Sequence, residues 1–166
     1  MYQSKFPIPR VTVDAVVLYL EAGQTTPEVL LIRRGDDPYK GKYALPGGHP
    51  NENEQQEDAV VRELVEETQC NQAWGFSEFG TYSTPGRDPR GWTVSTVYTA
   101  ISDSRDVTYG DDADDVVWTP FDQALVQQLA FDHNKILADV NLNLSSIILK
   151  AFEGNPMILI EKLLRK

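Results

Sequence analysis

Residues 45–68 constrain the fold more than any other part of this sequence. They begin with Leu-Pro-Gly-Gly, a combination that we expect to interrupt regular structure. The residues from about 54 to 68 then predict a helix, with Asn51 or Asn53 as its cap and acidic residues in its first turn. At 3.6 residues per turn, the polar positions of this helix share one face and the apolar positions share the other. The sequence therefore predicts an acidic amphipathic helix that follows directly on a sharp loop.

The polar face of this helix carries Glu63, Glu66 and Glu67, which we expect to point outward together. Like charges at this spacing cost about 0.2–0.5 kcal/mol per pair when solvated, and most acidic runs are simply exposed helix faces. The alternative is that the carboxylates bind Mg²⁺ or Mn²⁺, which prefer oxygen ligands and also bind phosphate oxygens. Cleavage of a pyrophosphate needs charge neutralisation and an activated water, and divalent metals provide both. This segment alone leaves both interpretations open.

The rest of the chain predicts one mixed domain, residues 1–166, with enough apolar material for a core, since 41% of the residues are hydrophobic. Runs rich in β-branched and aromatic residues predict strands, and the helical period predicts helices. The predicted strands are residues 11–20, 28–34, 43–45, 74–82, 92–101 and 116–120. The first strand has one richly apolar face and is expected to form a hairpin with the second. Helices are predicted over residues 121–152, with one break near Ala130, so that C-terminal helices close the domain.

The charge balance limits the partners of this chain. It has 25 acidic and 15 basic residues, a net charge of -10, and therefore no broad basic surface for nucleic acid. A small anionic substrate is compatible with this charge where cations or a few arginines offset the field. No segment approaches the roughly 20 apolar residues that span a bilayer, so we expect a cytoplasmic protein without a membrane partner. Cys70 is the only cysteine, which excludes an internal disulfide and a cysteine-rich zinc site.

The spacing around the acidic helix is more specific than its composition. Five residues separate Gly48 from Glu54, and seven separate Glu54 from the run Arg-Glu-Leu-Val-Glu-Glu that begins at Arg62. This pattern resembles the Nudix box of the Nudix hydrolases. The resemblance extends to the preceding Leu-Pro-Gly-Gly and, in strand order, to most of the chain. It implies the α+β class, as an α/β/α sandwich with a mixed central sheet. One position departs from the box, because Gln69 replaces a glycine whose left-handed conformation costs other residues about 1 kcal/mol.

The resemblance also implies a role for each residue of the box. Glu63 and Glu67 would be ligands of Mg²⁺ or Mn²⁺, with Glu66 as a further ligand or a water bridge. The backbone carbonyl of Gly47 or Gly48 would supply another ligand.

Two groups of the box would support these ligands without coordinating the metal. Arg62 would orient the glutamates through charge-assisted hydrogen bonds, and Glu54 would lie beside it. The expected chemical step is attack of a metal-activated water on a phosphorus atom, with Glu63, Glu66 or Asp112 accepting the proton. Asp111 and Asp112 belong to an acidic run whose alternative interpretation is a solvated turn.

Residues 83–98 bear on the substrate. The position of Pro85 relative to Cys70 is similar to that in ADP-ribose pyrophosphatases of this family. The loop Pro-Gly-Arg-Asp-Pro-Arg-Gly resembles one found in the subgroup linked to NAD metabolism, and residues 129–137 resemble that subgroup too. Arg87 and Arg90 are predicted to bind ribose or phosphate oxygens, and Arg34 matches a position where relatives contact the nucleotide. The alternative is that these arginines pair with Asp88 or with surface acids.

Aromatic residues and histidines add weaker candidates. Trp92 and Tyr82 are candidates for stacking on adenine, although aromatic residues in strands more often pack in the core. His49 is interpreted as a loop residue. His133, at the start of a helix, is interpreted as a cap or as a residue that faces the substrate.

The sequence thus predicts Mg²⁺-dependent hydrolysis of ADP-ribose to AMP and ribose 5-phosphate. The alternatives are a pyrophosphatase for nucleoside or deoxynucleoside triphosphates, including oxidised ones, and a non-catalytic domain that senses ADP-ribose. Similar sensing domains occur in transcriptional regulators. The apolar positions of residues 136–152 exceed what one helix face hides, which predicts a homodimer.

Overall fold

A computed structural model describes residues 5–21, 24, 26–110 and 113–153 of this chain. The strands are β1 (Arg10–Tyr19), β2 (Glu28–Arg34), β3 (Tyr43–Ala44), β4 (Gly47–Gly48), β5 (Ala73–Tyr82), β6 (Thr93–Ser102) and β7 (Ala113–Pro120). The helices are α1 (Gln56–Thr68), α2 (Phe121–Val126), α3 (His133–Leu142) and α4 (Leu144–Phe152). None of these helices is both long and apolar enough to cross a bilayer.

The strands of the described residues form one mixed sheet, with β3, β2, β1, β6 and β5 in that order. β1 runs parallel to β6 over its whole length and antiparallel to β2, as the predicted hairpin requires. β4 pairs with β1, and β7 pairs with β2. The central strand of the sheet is therefore β1, which lies next to the Gly-Gly segment.

Helices cover both faces of this sheet. On one face, Val13, Ala15 and Val17 of β1 belong to a buried cluster with Val60 and Leu64 of α1. On the other face, Val16 and Leu18 pack in a cluster that receives residues from the three later helices, namely Phe121, Ala124, Ile136, Leu137, Val140 and Phe152. This arrangement confirms the predicted α/β/α sandwich. The prediction of a single apolar face on β1 was wrong, because a strand between helix layers is buried on both sides.

The helix that carries the glutamates begins later than predicted. Its first residue is Gln56, and its N-cap is Gln55 rather than Asn51 or Asn53. Glu54 lies before the helix, where its side chain accepts a hydrogen bond from the backbone N–H of Asn51 at 2.7 Å. The N-cap Gln55 makes no side-chain cap hydrogen bond, so the predicted asparagine cap was wrong.

The Gly-Gly segment does not simply interrupt regular structure, as predicted, but forms β4. Gly47 pairs with Asp14, and Gly48 pairs with Val13. A Cβ atom on Gly47 would overlap the carbonyl oxygen of Val13, so this close approach requires glycine. The C-terminal helices also break twice rather than once, at residues 127–132 and at Asn143.

Candidate active site

A cavity of about 480 Å³ opens where β4, α1 and the start of α3 meet the edge of β1 and β2. Its volume lies in the range of small-molecule sites. The wall combines carboxylates with arginines. The acidic residues on the wall are Asp14, Asp36, Asp37, Glu63, Glu67 and Asp88, and the basic ones are Arg34, Arg87 and Arg90.

The three glutamates of α1 do not point the same way. Glu63 and Glu67 line the cavity, whereas the side chain of Glu66 is 58% exposed. The reason is helical geometry, since adjacent residues are turned by about 100° and a separation of four returns to nearly the same direction. The expectation that all three point outward together was therefore wrong.

Glu67 is the most perturbed carboxylate of this wall. Its Oε2 accepts a hydrogen bond from the backbone N–H of Gly47 at 2.8 Å. Burial raises the pKa of Glu67 to about 8, and the charges of Glu63 and Asp14 add to this effect, although the Gly47 hydrogen bond opposes it. The raised pKa favours the protonated form of Glu67 at this position, and a bound cation would favour the anion instead.

The donor set fits a divalent cation that takes some of its ligands from the protein and the others from water and a substrate. Within the described ranges, no group of three or more His, Cys, Asp and Glu side chains is placed to hold a metal by itself. Mg²⁺ usually takes one or two carboxylates and completes its octahedron with water and phosphate oxygens. Glu63, Glu67 and the backbone at Gly47 match such a partial site.

Arg62 connects the loop to the glutamates. It donates to both oxygens of Glu54 at 2.8 and 2.9 Å, to the carbonyl oxygen of His49 at 2.9 Å, and to Glu63 and Glu66 at 2.9 Å each. The hydrogen bonds from Arg62 hold the pKa of Glu54 down at about 2, with help from the Asn51 backbone. Arg62 therefore fixes the directions of Glu63 and Glu66, the geometry that its predicted orienting role requires.

Gly48 lies directly against this group. A Cβ atom at this position would overlap the carboxylate of Glu63. The loop can thus approach α1 closely only where the side chain is absent. Gly48 therefore lies beside the carboxylate of Glu63.

The three predicted substrate arginines all reach the cavity, but two of them are already paired. Arg87 is buried and donates to both oxygens of Asp132, at 2.7 and 3.0 Å. Arg90 pairs with Asp88, at 2.7 Å. The pairing alternative is thus observed for Arg87 and Arg90, although both still line the wall.

Arg34 differs from the other two because its hydrogen bonds go to backbone oxygens. It donates to the carbonyl oxygens of Pro38 at 2.8 Å and Asp36 at 3.4 Å. Burial lowers the pKa of Arg34, and the nearby Arg90 lowers it further. Arg34 thus brings a positive charge to the cavity wall that its own hydrogen bonds do not neutralise.

Phe131 is an aromatic wall residue that sequence reasoning missed. The guanidinium carbons of Arg34 and Arg90 lie 4.9 and 5.4 Å from its ring centroid. Its φ angle of 53° is in the left-handed region, which is unusual for a bulky residue. The break predicted near Ala130 and the resemblance of residues 129–137 were signals for this segment, but neither singled out Phe131.

The residues predicted to stack on adenine lie elsewhere. Trp92 is 53% exposed and is not on the cavity wall. The hydroxyl of Tyr82 donates to Asp139, outside this cavity. The structure therefore brings neither residue to the site, and Phe131 is the aromatic side chain that faces it.

Asp14 is the second missed residue, and a signal for it was present. It is the one acid within the apolar run of β1, where a charge needs a partner. The hydroxyl of Ser95 donates to Asp14 Oδ2 at 2.5 Å, and Arg87 lies 3.8 Å from the same oxygen. Asp14 is thus a buried carboxylate at the cavity with a dedicated hydrogen-bond donor.

Comparison with known proteins decides the family, because the NUDIX domain matches residues 8–140. This chain belongs to the NUDIX domain family. The predictions of a Nudix hydrolase and of its fold are therefore confirmed. This Nudix chain is 40% identical over 131 residues to an ADP-ribose pyrophosphatase from Methanocaldococcus jannaschii. The aligned region covers 79% of this chain and 72% of that protein.

Two further relatives are named for ADP-ribose. The ADPR responsive transcriptional repressor NtrR of Acinetobacter baylyi is 30% identical over 141 residues, 81% of this Nudix chain but only 54% of the repressor. The NUDIX domain of Shewanella oneidensis NrtR, solved in complex with ADP ribose, superposes with a TM-score of 0.78 and 32% identity. That match covers 86% of this chain and 94% of the other.

The Nudix box of this chain keeps its turn despite the missing glycine. Gln69 is the C-cap of α1 and adopts φ 51° and ψ 22°, the left-handed conformation. Its backbone N–H donates to the carbonyl oxygen of Val65 at 2.9 Å. Asp111 and Asp112, the predicted acids of the later loop, lie outside the described residues.

Proposed function

We propose that this Nudix domain hydrolyses ADP-ribose to AMP and ribose 5-phosphate in a reaction that depends on Mg²⁺ or Mn²⁺. The observation that carries the proposal is the cavity in which Glu63 and Glu67 face the same space as Arg34. A diphosphate needs this combination, since cations and hydrogen-bond donors must together neutralise its charge. The named activity of the Methanocaldococcus relative and the ADP ribose bound to the Shewanella domain support the choice of substrate.

The metal would be held by Glu63, Glu67 and the backbone carbonyl of Gly47, with Glu66 as a further ligand or a water bridge. Glu66 and Glu63 share the same Nη1 of Arg62, so their carboxylates lie close together. The bound metal would neutralise diphosphate oxygens and make a water more acidic. Glu54 and Gly48 would support this group without binding the metal.

Among the described candidates for the proton acceptor, the geometry favours Glu63. It lies on the cavity wall, whereas Glu66 is exposed beside it. Asp112, outside the described residues, is a third candidate for the proton acceptor. A positioned carboxylate of this kind contributes about 10²–10⁴-fold to the rate.

The arginines would bind the anionic and hydroxylated parts of the substrate. Arg34 is suited to phosphate oxygens, because its charge faces the cavity without a carboxylate hydrogen bond among the described residues. Arg87 and Arg90 would offer the N–H groups that Asp132 and Asp88 leave free. The net charge of -10 argues against a nucleic-acid partner for this chain.

A panel of substrates tests this proposal. The purified protein would be incubated with Mg²⁺ and ADP-ribose, NADH, diadenosine compounds or deoxynucleoside triphosphates, and the products would be separated by chromatography. We expect AMP and ribose 5-phosphate from ADP-ribose as the dominant products. Preferred cleavage of a triphosphate would instead support the nucleotide pyrophosphatase.

The second candidate is a domain that senses ADP-ribose without cleaving it. It is favoured by the likeness to the Acinetobacter repressor and to the Shewanella NrtR domain. Tight binding of ADP-ribose in Mg²⁺ with no AMP formed would decide for sensing. Binding measured by calorimetry beside the product assay distinguishes the two functions.

We also propose that the chain forms a homodimer. In α4, Phe152 is buried and the other apolar residues are partly buried against the core, whereas Leu149 is 58% exposed. An exposed leucine on this helix face favours association. The expected mass in solution is that of two chains.

A further inference from the structure

His133 is a buried titratable residue on the cavity wall to which the reaction gives no role. It is the first residue of α3 and is only 3% exposed. Its Nδ1 accepts a hydrogen bond from the backbone N–H of Leu45 at 2.9 Å. Its Nε2 lies 3.7 Å from Asp14 Oδ1. The ring therefore lies between the central strand and the loop that contains Gly47 and Gly48.

These contacts define which nitrogen of the neutral imidazole carries the proton. A nitrogen that accepts a hydrogen bond carries no proton, so the neutral ring holds its proton on Nε2, towards Asp14. Burial lowers the pKa of His133, which favours the neutral ring, although Asp14 and Asp132 oppose this shift. The backbone N–H of Leu45 is thus matched to a fixed acceptor.

The hydrogen bond at Leu45 is the first of a series along residues 45–48, which we call the Gly-Gly loop. Next, the carbonyl oxygen of Pro46 accepts from the Ala15 N–H at 2.8 Å. The Gly47 N–H then donates to Glu67 at 2.8 Å. Successive backbone groups are thus fixed to α3, β1 and α1 in turn.

Loss of the imidazole acceptor would leave the buried N–H of Leu45 without a partner. Leu45 is only 2% exposed, so water cannot simply replace the bond. The loop would have to move to pair this group. Gly47 follows two residues later, so such a movement would displace the contact with Glu67.

We propose that His133 is a positioning residue that fixes the Gly-Gly loop through Leu45, and thereby sets Gly47 and Glu67 at the distance that a divalent cation requires. It acts through the backbone and not on the reacting atoms. The inference rests on the proposed function, because it assigns the cation to these two residues.

Two substitutions separate the two nitrogens of the ring. In His133→Asn the amide group lies near the position of Nδ1 and can still accept from Leu45, whereas in His133→Gln it lies near Nε2. Mn²⁺ binding, measured by electron paramagnetic resonance without substrate, gives the affinity directly. We expect His133→Gln to bind Mn²⁺ on the order of tenfold more weakly, the effect of losing a group that orients metal ligands. His133→Asn should stay close to the wild type.

An unchanged Mn²⁺ affinity in His133→Gln would overturn this role of His133. An equal loss in both variants would also overturn it, since the effect would then not depend on the acceptor at Nδ1. A wild type that binds no Mn²⁺ would instead overturn the metal site of the proposed function, and with it the role of His133 towards the cation.

A measurement on the unaltered protein covers the case in which the variants do not fold. Nitrogen-15 NMR of the histidine ring distinguishes a protonated from an unprotonated Nδ1. We expect an unprotonated Nδ1 that is coupled to the Leu45 amide, and a proton on Nε2. A proton on Nδ1 would contradict the inference whatever the outcome of the metal experiments.

Discussion

The chemistry of this site depends on which residues face the cavity, and helical periodicity sets this for α1. Glu63 and Glu67 are four residues apart and line the cavity, while Glu66 is exposed and is not part of its wall. Burial places Glu67 among other carboxylates and raises its pKa. Single charges at these positions should therefore matter more than the acidity of the helix as a whole.

The first prediction concerns these two glutamates. Glu63→Gln and Glu67→Gln should each lower the turnover of ADP-ribose by about 10²–10⁴-fold, because each removes an anionic oxygen from the cation site or from proton transfer. The fold should survive, since glutamine has nearly the same volume. Turnover at saturating Mg²⁺ and the thermal midpoint measure the two effects.

Asp58→Asn is the matched control for this pair. Asp58 lies in the first turn of the same helix and is exposed outside the cavity. Like the two glutamate variants, Asp58→Asn removes one negative charge from α1, but it should keep wild-type turnover. Near-normal turnover in either glutamate variant would show that its assignment is wrong.

Part of the site could be predicted from the sequence at the level of single residues, and part could not. The Nudix box was recognised by its resemblance to the family motif, which was possible because the box is local in the chain. Asp14, Phe131 and the partners of the arginines are set by contacts between distant segments. Arg87 and Asp132, for example, are separated by 45 positions. No local pattern specifies such a pair.

At the level of elements, most strands followed from composition, but pairing decided their environment. β1 is apolar on both faces because it has a parallel neighbour and two helix layers around it. The Gly-Gly segment became a strand because Gly47 and Gly48 fit between β1 and α1. The alternation of apolar and polar residues predicts neither the burial of both faces of β1 nor the formation of β4.

The second prediction concerns the end of α1. Gln69 holds a left-handed conformation that favours glycine, so Gln69→Gly should raise the free energy of unfolding by about 1 kcal/mol. Urea denaturation measures the change. Gln69→Ala keeps a Cβ atom and should show no such gain. A loss of stability in the glycine variant would mean that the Gln69 side chain stabilises this turn more than its backbone strain costs.

At the level of the whole molecule, the exposed apolar surface of α4 bears on assembly. Leu149 is 58% exposed on a helix that packs against β5 and β6. β5 is also the last strand on its side of the sheet among the described residues. The edge strand β5 and the helix that carries the exposed Leu149 are therefore in contact, and a second copy would be able to pack against both.

The third prediction tests this surface. Leu149→Asp should convert the proposed dimer into a monomer, because a charge buried between two copies without a partner costs several kcal/mol. Val126→Asp is the control, since Val126 is 86% exposed but belongs to α2. Light scattering coupled to gel filtration gives the mass of each protein. A wild type with the mass of one chain would contradict the dimer, and a dimer that survives Leu149→Asp would move the interface away from α4.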